Sequence, residues 1–256
     1  MKKETDSRTD IIEGRNPVME ALRSGRPIDK ILVQTGEKHG SVLKILAIAK
    51  EKRIAVSYAD KAKLDKISSS HSHQGVIAYA AAKEYVSVED ILNIARSRGE
   101  APFVVICDDI TDPHNLGSII RSANAAGVHG VIISKHNSVG LSATVAKTSA
   151  GAVEFTPVAK VSSIAQTIEK LKKENIWVVA ADMDGENTIH THDFSGAVAI
   201  VVGNEGKGIS HLVKERCEFT VRIPMLGKIS SLNASVAGAL MIYEVVRYRE
   251  AKKQEV

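Results

Sequence analysis

Three short segments place amide, guanidinium and carboxylate side chains beside turns and helix starts. Such groups can take up a proton, bind an anion or orient a hydroxyl. The first segment runs Asp109-Ile-Thr-Asp112-Pro113-His-Asn115-Leu-Gly117-Ser-Ile-Ile-Arg121. It reads as a polar turn after a strand, with Pro113 and Asn115 at the start of a helix. The helix carries Arg121 about one and a half turns past Asn115. Taken alone, Asn115 is a cap and Arg121 a surface residue. The second, Gly203-Asn204-Glu205-Gly206-Lys207-Gly208, follows directly on an apolar strand. That is the carboxyl edge, where open α/β sheets bind ligands. It lacks the four-residue spacer and the Lys-Ser/Thr pair of a P-loop, and its glycine spacing is not the dinucleotide fingerprint. Its glycines suit a tight turn with positive φ, which leaves Glu205 exposed. The third, Ile223-Pro224-Met225-Leu-Gly227-Lys-Ile-Ser230-Ser231-Leu232-Asn233, enters from a short strand. It leaves through a final helix that Ser230 or Ser231 would cap.

The elements that must position these segments follow from patterning. Residues 1–10 are polar and read as a disordered start. Asn16–Ser24 is a short helix, Lys30–Gln34 a strand, Ser41–Arg53 an amphipathic helix and Ile54–Tyr58 a strand. Asp60 caps the next helix and Gly75–Ala80 is a strand. This makes residues 11–84 a compact α/β module. Residues 85–100 are a linker and a helix, Ser87–Arg98. From 101 to 256, apolar runs at Phe103–Cys107, Gly130–Ile133, Ile176–Ala180 and Ala197–Val202 have the continuous character of strands covered on both faces. Helices at Leu116–Ala126, Ser162–Glu174 and about Leu232–Glu250 join or follow them. The fold class is therefore α/β: a mostly parallel, doubly wound sheet with helices on both faces, preceded by the small α/β module. On the last helix, Val236, Leu240, Tyr243 and Val246 form an apolar stripe, read as core or subunit contact.

Bulk properties narrow the function. Of 256 residues, 44% are hydrophobic and 25% charged, an ordinary globular composition. Residues 1–84 hold 16 Lys and Arg against 11 Asp and Glu, and the rest holds 18 against 19. The basic excess thus lies in the first third, which suits either a polyanion-facing module or a solvated basic surface. Two distant cysteines, Cys107 and Cys217, and the lack of a signal-like start point to a reducing, cytoplasmic setting. No apolar run is long enough to span a membrane. The His71-x-His73 pair has no cysteine or acidic cluster beside it, so no metal is expected; it is as well suited to RNA backbone. Aromatic residues make up 4% of the chain, which disfavours recognition by base stacking.

In this order and near these separations, Asn115-x-Gly117-x-x-x-Arg121, Gly203-Asn204-Glu205-Gly206-x-Gly208 and Ile223-Pro224-Met225 leading to Ser231-Leu232-Asn233 resemble the hallmarks of the SpoU (TrmH-type) branch of the SPOUT RNA methyltransferases. The resemblance covers roughly residues 101–250. Ile12-Glu-Gly14-Arg15-Asn16-Pro17-Val18 and His73-Gln74-Gly75-Val76 resemble the RNA-binding extension of the RlmB-like subgroup, which is similar in fold to small RNA-binding ribosomal proteins.

The resemblance implies a C-terminal trefoil knot and S-adenosylmethionine as cofactor. By analogy Gly203, Ile223 and Leu232 hold the cofactor largely through backbone groups, and Met225, Asn204 and Gly206 line the same pocket. The reaction implied is in-line methyl transfer from a sulfonium to the ribose 2′-oxygen of a guanosine in large-subunit ribosomal RNA, with transfer RNA the alternative substrate. In the family Arg121 is the proposed activator of the hydroxyl. A guanidinium stays protonated, so phosphate binding or stabilisation of developing alkoxide charge suits Arg121 as well. Glu205 is the conventional base, with a structural role equally open. Asn115 belongs to the same catalytic set, and Ser231 and Asn233 are placed to orient the hydroxyl. The family's active site is completed by a second subunit, implying a homodimer. Two other classes fit the residues less well: a non-catalytic RNA-binding protein, disfavoured by intact Asn115, Arg121, Glu205 and Asn233, and a nicotinamide oxidoreductase, disfavoured by the missing glycine fingerprint.

Overall fold

A computed structural model describes residues 11–36, 40–68, 72–229 and 231–254. The expected disordered start at 1–10, His71 and Ser230 lie outside the described residues. The chain divides into two compact units, one ending at Glu84 and joined by Gly140–Thr144, the other formed by Tyr85–Val139 and Val145–Val256.

The first unit comprises β1 (Ile11–Glu13), α1 (Arg15–Arg23), β2 (Ile28–Gln34), α2 (Gly40–Glu51), β3 (Ala55–Ala59), α3 (Lys61–Ile67) and β4 (Val76–Ala80). Its sheet has the order β1-β4-β2-β3, with β2 and β3 parallel and the other pairs antiparallel. Val42, Ile45 and Ala49 of α2 and Val18 and Leu22 of α1 are buried against Ile31, Val33 and Ala78. Asp60 caps α3 by accepting the Lys63 N–H at 2.8 Å. His73 is not free to meet RNA. It is 4% exposed, its Nδ1 accepts the Gly75 N–H at 3.0 Å, and its Nε2 lies 2.9 Å from Asp65. Burial with both ring nitrogens engaged makes it a brace for the turn into β4.

The second unit begins with α4 (Val88–Arg98), capped by a reciprocal box between Ser87 and Asp90. There follow β5 (Phe103–Cys107), α5 (Pro113–Ala125), β6 (Gly130–Ser134), α6 (Ala143–Thr148), whose first residues fall in the other unit, β7 (Val158–Val161), α7 (Ile164–Lys173), β8 (Trp177–Ala181) and β9 (Asn187–Thr188). The chain ends in β10 (Val198–Val202), α8 (His211–Arg216), β11 (Phe219–Arg222) and α9 (Ala234–Gln254). The seven strands are all parallel in the order β7-β6-β5-β10-β8-β11-β9. Alternate residues Val104, Ile106, Val178, Ala180, Ala199 and Val201 pack with α4, α7 and α8 on one face. On the other face α9 lies along α5 and β10. Gly238 makes that approach possible, since a Cβ there would touch Ile119 and Val202 at 3.4 Å. Burial also pushes the thiols of Cys107 and Cys217 up to about 12, which leaves neither a nucleophile at neutral pH.

Gly117 in α5 faces Thr148 so closely that a Cβ would stand 1.9 Å from Thr148 Oγ1 and 3.0 Å from the Ser149 nitrogen. In an exposed helix interior, alanine would be the more stable residue by about 1 kcal/mol. Here Gly117→Ala is expected to lower stability by about 1–3 kcal/mol through overpacking. A thermal unfolding midpoint equal to or above that of the wild type would contradict this packing.

Candidate functional site

The strand order brings the three motifs together. β10 lies between β5 and β8, so its outgoing loop, residues 203–209, meets the start of α5 on one side and the loops after β8 and β11 on the other. The loop is closed on itself by paired backbone bonds between Asn204 and Gly208, at 3.0 and 2.9 Å. Asn204 Oδ1 accepts the N–H groups of Gly206 and Lys207, and its Nδ2 donates to the Asp109 carbonyl at 3.1 Å. Gly203 leaves no alternative at its position, because a Cβ would lie 2.3 Å from the Gly208 carbonyl carbon.

Asn115, 5% exposed, is the hub of a side-chain chain. Its Nδ2 donates to Glu205 Oε1, and its Oδ1 accepts from Asn233 Nδ2 at 3.0 Å. Asn233, not Ser231, caps α9: its Oδ1 accepts the Ser235 N–H at 2.9 Å, the Ser235 hydroxyl at 2.6 Å and the Val236 N–H at 3.4 Å. A serine in this polar run is a good cap by type, but the side chain already fixed by Asn115 takes the position. Asp112 likewise caps α5, accepting the His114 N–H at 3.1 Å, which frees Asn115 from the capping role.

A cavity of about 430 Å³ opens beside this chain, lined by all six expected cofactor residues, Gly203, Asn204, Gly206, Ile223, Met225 and Leu232, and by Glu205 and Ser231. Asn115 and Asn233 stand behind Glu205 and do not line it. Arg121 does not line it either. It is exposed on α5, about 9 Å along the axis from Asn115, and pairs with no described residue.

Two groups of lining or supporting residues were not anticipated. Ala181, the last residue of β8, and Asp182, Met183 and Asp184 directly after it form one wall. The acids following an apolar strand were the available signal. Asp108, 4% exposed, accepts the Ser210 N–H at 2.7 Å and so ties the end of the glycine loop to β5. Asp109 adopts a left-handed φ of 55°. Burial and then the neighbouring Asp108 push its carboxyl up, against the pull of Lys207.

The cavity fits a nucleoside carrying a positive charge. Its volume lies in the range of about 300–1,000 Å³ usual for small-molecule sites. Val202, Ile223, Leu232, Ala234 and Ala237 offer an apolar wall, and Gly203 and Gly208 allow close backbone approach. Among the described residues, three carboxylates, Asp182, Asp184 and Glu205, stand against two cations, the lining Lys207 and Lys214, which pairs with Asp182 and Asp184 at 2.8 and 3.4 Å, leaving one negative charge in excess. Among the described residues no group of three or more His, Cys, Asp or Glu is placed to hold a metal ion.

Known proteins share this fold. Residues 102–243 match the model of the SpoU rRNA methylase family, and residues 11–86 match the model of the RNA 2′-O ribose methyltransferase substrate-binding domain. The chain is 43% identical over 240 residues to YacO of Bacillus subtilis, a protein named for the TrmH family of tRNA/rRNA methyltransferases, covering 94% of this chain and 96% of that one. The crystal structure of the SpoU methyltransferase AviRb from Streptomyces viridochromogenes in complex with AdoMet aligns with a TM-score of 0.60 at 26% identity, over 94% of this chain and 90% of AviRb. A TrmH/SpoU tRNA-modifying enzyme of A. aeolicus aligns with a TM-score of 0.54 at 27% identity, over 60% of this chain and 78% of its own. With its catalytic-unit motifs, its substrate-binding module and full-length relatives of this similarity, the chain belongs to the SpoU methylase family.

Proposed function

We propose that the protein transfers a methyl group from S-adenosylmethionine to the ribose 2′-hydroxyl of a guanosine in large-subunit ribosomal RNA, as an RlmB-like member of the family. The observation that carries this reading is the cavity at the carboxyl ends of β8 and β10, walled by Glu205 with Asn115 and Asn233 behind it. Bound there, the cofactor supplies a methyl group already activated by its sulfonium. The family membership, and the AdoMet bound to AviRb, support that assignment of the cavity. A chain path through the knot is part of the same proposal, formed by the segments around residues 203–209 and 223–233.

The protein's own residues then have separable tasks. Asn115 Nδ2 holds Glu205 Oε1, which leaves Oε2 to take the 2′-proton. Asn233 fixes Asn115 and starts α9, so it positions rather than reacts. Ser231, exposed on the cavity wall, orients the hydroxyl. Arg121, exposed and unpaired among the described residues, binds phosphate or stabilises the developing alkoxide. Its distance from the cavity within one chain supports a homodimer. Val236, Leu240 and Tyr243 of α9 are 43–50% exposed, on the helix packed against α5. They form no core: Gly238, Met241, Ile242 and Val245 turn inward instead. A second copy covering that stripe would bring an Arg121-bearing α5 near. The cytoplasm is the compartment that holds the proposed substrate.

Ribosomal RNA is favoured by the substrate-binding module at 11–86, since the A. aeolicus tRNA-modifying enzyme matches only 60% of this chain. The test is transfer of label from radiolabelled S-adenosylmethionine to undermethylated total RNA, with the label located after nuclease digestion. Label on a ribosomal guanosine 2′-oxygen is the expected result, label in transfer RNA alone overturns the substrate, and label on a base overturns the reaction. In the same assay Arg121→Ala is expected to lower the rate by about 10²–10³ while cofactor affinity stays unchanged. A matching loss of cofactor affinity would move Arg121 from the RNA side to the cofactor.

A further inference from the structure

The wall of the cavity formed after β8 has no counterpart in the three motifs. Asp182 is the first residue beyond that strand, and its side chain is 18% exposed. Its backbone N–H donates to the Val221 carbonyl at 3.0 Å, which fastens it to β11. The Gly185 N–H bonds back to the Asp182 carbonyl at 3.2 Å, and a Cβ on Gly185 would stand 2.5 Å from the Val221 carbonyl carbon. The turn is therefore clamped from both ends. Asp182 Oδ1 accepts the Asp184 N–H at 3.0 Å and the Lys214 ammonium at 2.8 Å. Oδ2 accepts from no described residue.

Strand order fixes the side of the cavity on which this carboxylate stands. Glu205 follows β10 and is held from the β5 side by Asn115 on α5. Asp182 follows β8, across the end of β10. If the reacting methyl faces Glu205, Asp182 meets a part of the cofactor remote from it. Three groups of that cofactor are able to donate to a carboxylate: the adenine amino group, which a backbone carbonyl satisfies as well, the ribose hydroxyls and the methionyl ammonium. Lys214 is shared, at 2.8 Å from Asp182 Oδ1 and 3.4 Å from Asp184 Oδ2, and the closer pair is with Asp182. The free oxygen of Asp182 is therefore an acceptor on a carboxylate that already holds a cation, while the 85% exposed Asp184 is the less matched anion. Neutral hydroxyls need an acceptor, whereas an ammonium gains most from an unmatched anion. An acid at the carboxyl end of a strand beside a glycine-rich turn binds ribose in other parallel sheets for the same geometric reason.

We infer that Asp182 is the residue that recognises the ribose hydroxyls of the cofactor's nucleoside, an inference that rests on the cofactor reading above. The test is calorimetric titration of the full chain and of Asp182→Asn with S-adenosylhomocysteine, 5′-methylthioadenosine and 2′,3′-dideoxy-5′-methylthioadenosine. Asparagine keeps Oδ1 for the Asp184 N–H. The variant is expected to bind S-adenosylhomocysteine and methylthioadenosine weaker by the same factor, about tenfold or more. The dideoxy compound should bind wild type and variant alike. A loss confined to S-adenosylhomocysteine would place Asp182 at the amino-acid end and overturn the inference. Equal affinity of the wild type for methylthioadenosine and its dideoxy form would overturn it without recourse to any variant. Failure of the wild type to bind S-adenosylhomocysteine at all would sink the cofactor reading itself.

Discussion

Glu205→Gln is expected to slow single-turnover methylation by about 10²–10⁴, with S-adenosylhomocysteine affinity and the unfolding midpoint close to wild type. The substitution is informative because glutamine keeps an Oε1 that can accept from Asn115 Nδ2. It therefore preserves the hydrogen-bonded chain Glu205–Asn115–Asn233 and removes only the ability to hold the 2′-proton. If Glu205 serves the loop rather than the reaction, the glutamine variant will keep its rate and Asn115→Ala will not. Asn115→Ala leaves Asn233 Nδ2 and Glu205 Oε1 without their partner, and since both residues are exposed and water can replace it, the loss is about 0.5–1.5 kcal/mol per hydrogen bond. Comparing the two variants by rate and by thermal unfolding separates proton transfer from scaffolding. A full rate in Glu205→Gln would end the assignment of Glu205 as base.

Gly203→Ala is expected to abolish cofactor binding and to lower stability by about 1–3 kcal/mol. The added methyl would meet backbone, not a movable side chain: the Gly208 carbonyl carbon at 2.3 Å and the Ile209 nitrogen at 2.4 Å. Relief requires opening the paired Asn204–Gly208 bonds. That would displace Gly206 and Lys207, whose N–H groups are held by Asn204 Oδ1, and with them one wall of the cavity. Calorimetry with S-adenosylhomocysteine reads the first effect and denaturant unfolding the second. Binding within about twofold of wild type would show that the loop is not the cofactor's cradle.

Much of the fold was legible because its strands are covered on both faces. Phe103–Cys107 and Val198–Val202 are buried at every position, and an unbroken apolar run bounded by polar turns has few other meanings. The strands that escaped notice sit where that signal fails. β7 has two partly exposed residues of four, and β1 and β9, of three and two residues, lie at sheet edges. The stripe on α9 was legible as apolar but not in its direction. Both sides of that helix carry apolar residues, and Gly238 against Ile119 and Val202 decides which side turns inward.

The candidate site divides along the same line. The sequence alone determined which side chains were available and that each motif ends or begins a regular element, since local chemistry sets turns, caps and strand ends. It also determined six of the residues that line the cavity, through their likeness to a known pattern. Tertiary structure decided the rest. Asn115 is separated from Glu205 by 90 residues and from Asn233 by 118, so their hydrogen bonds exist only because β10 is inserted beside β5 and α9 folds back on α5. The same insertion sets Asp182 across the cavity from Glu205 and leaves Arg121 outside it. Strand order is a long-range choice made by the packing of whole faces, and no local run of residues encodes it.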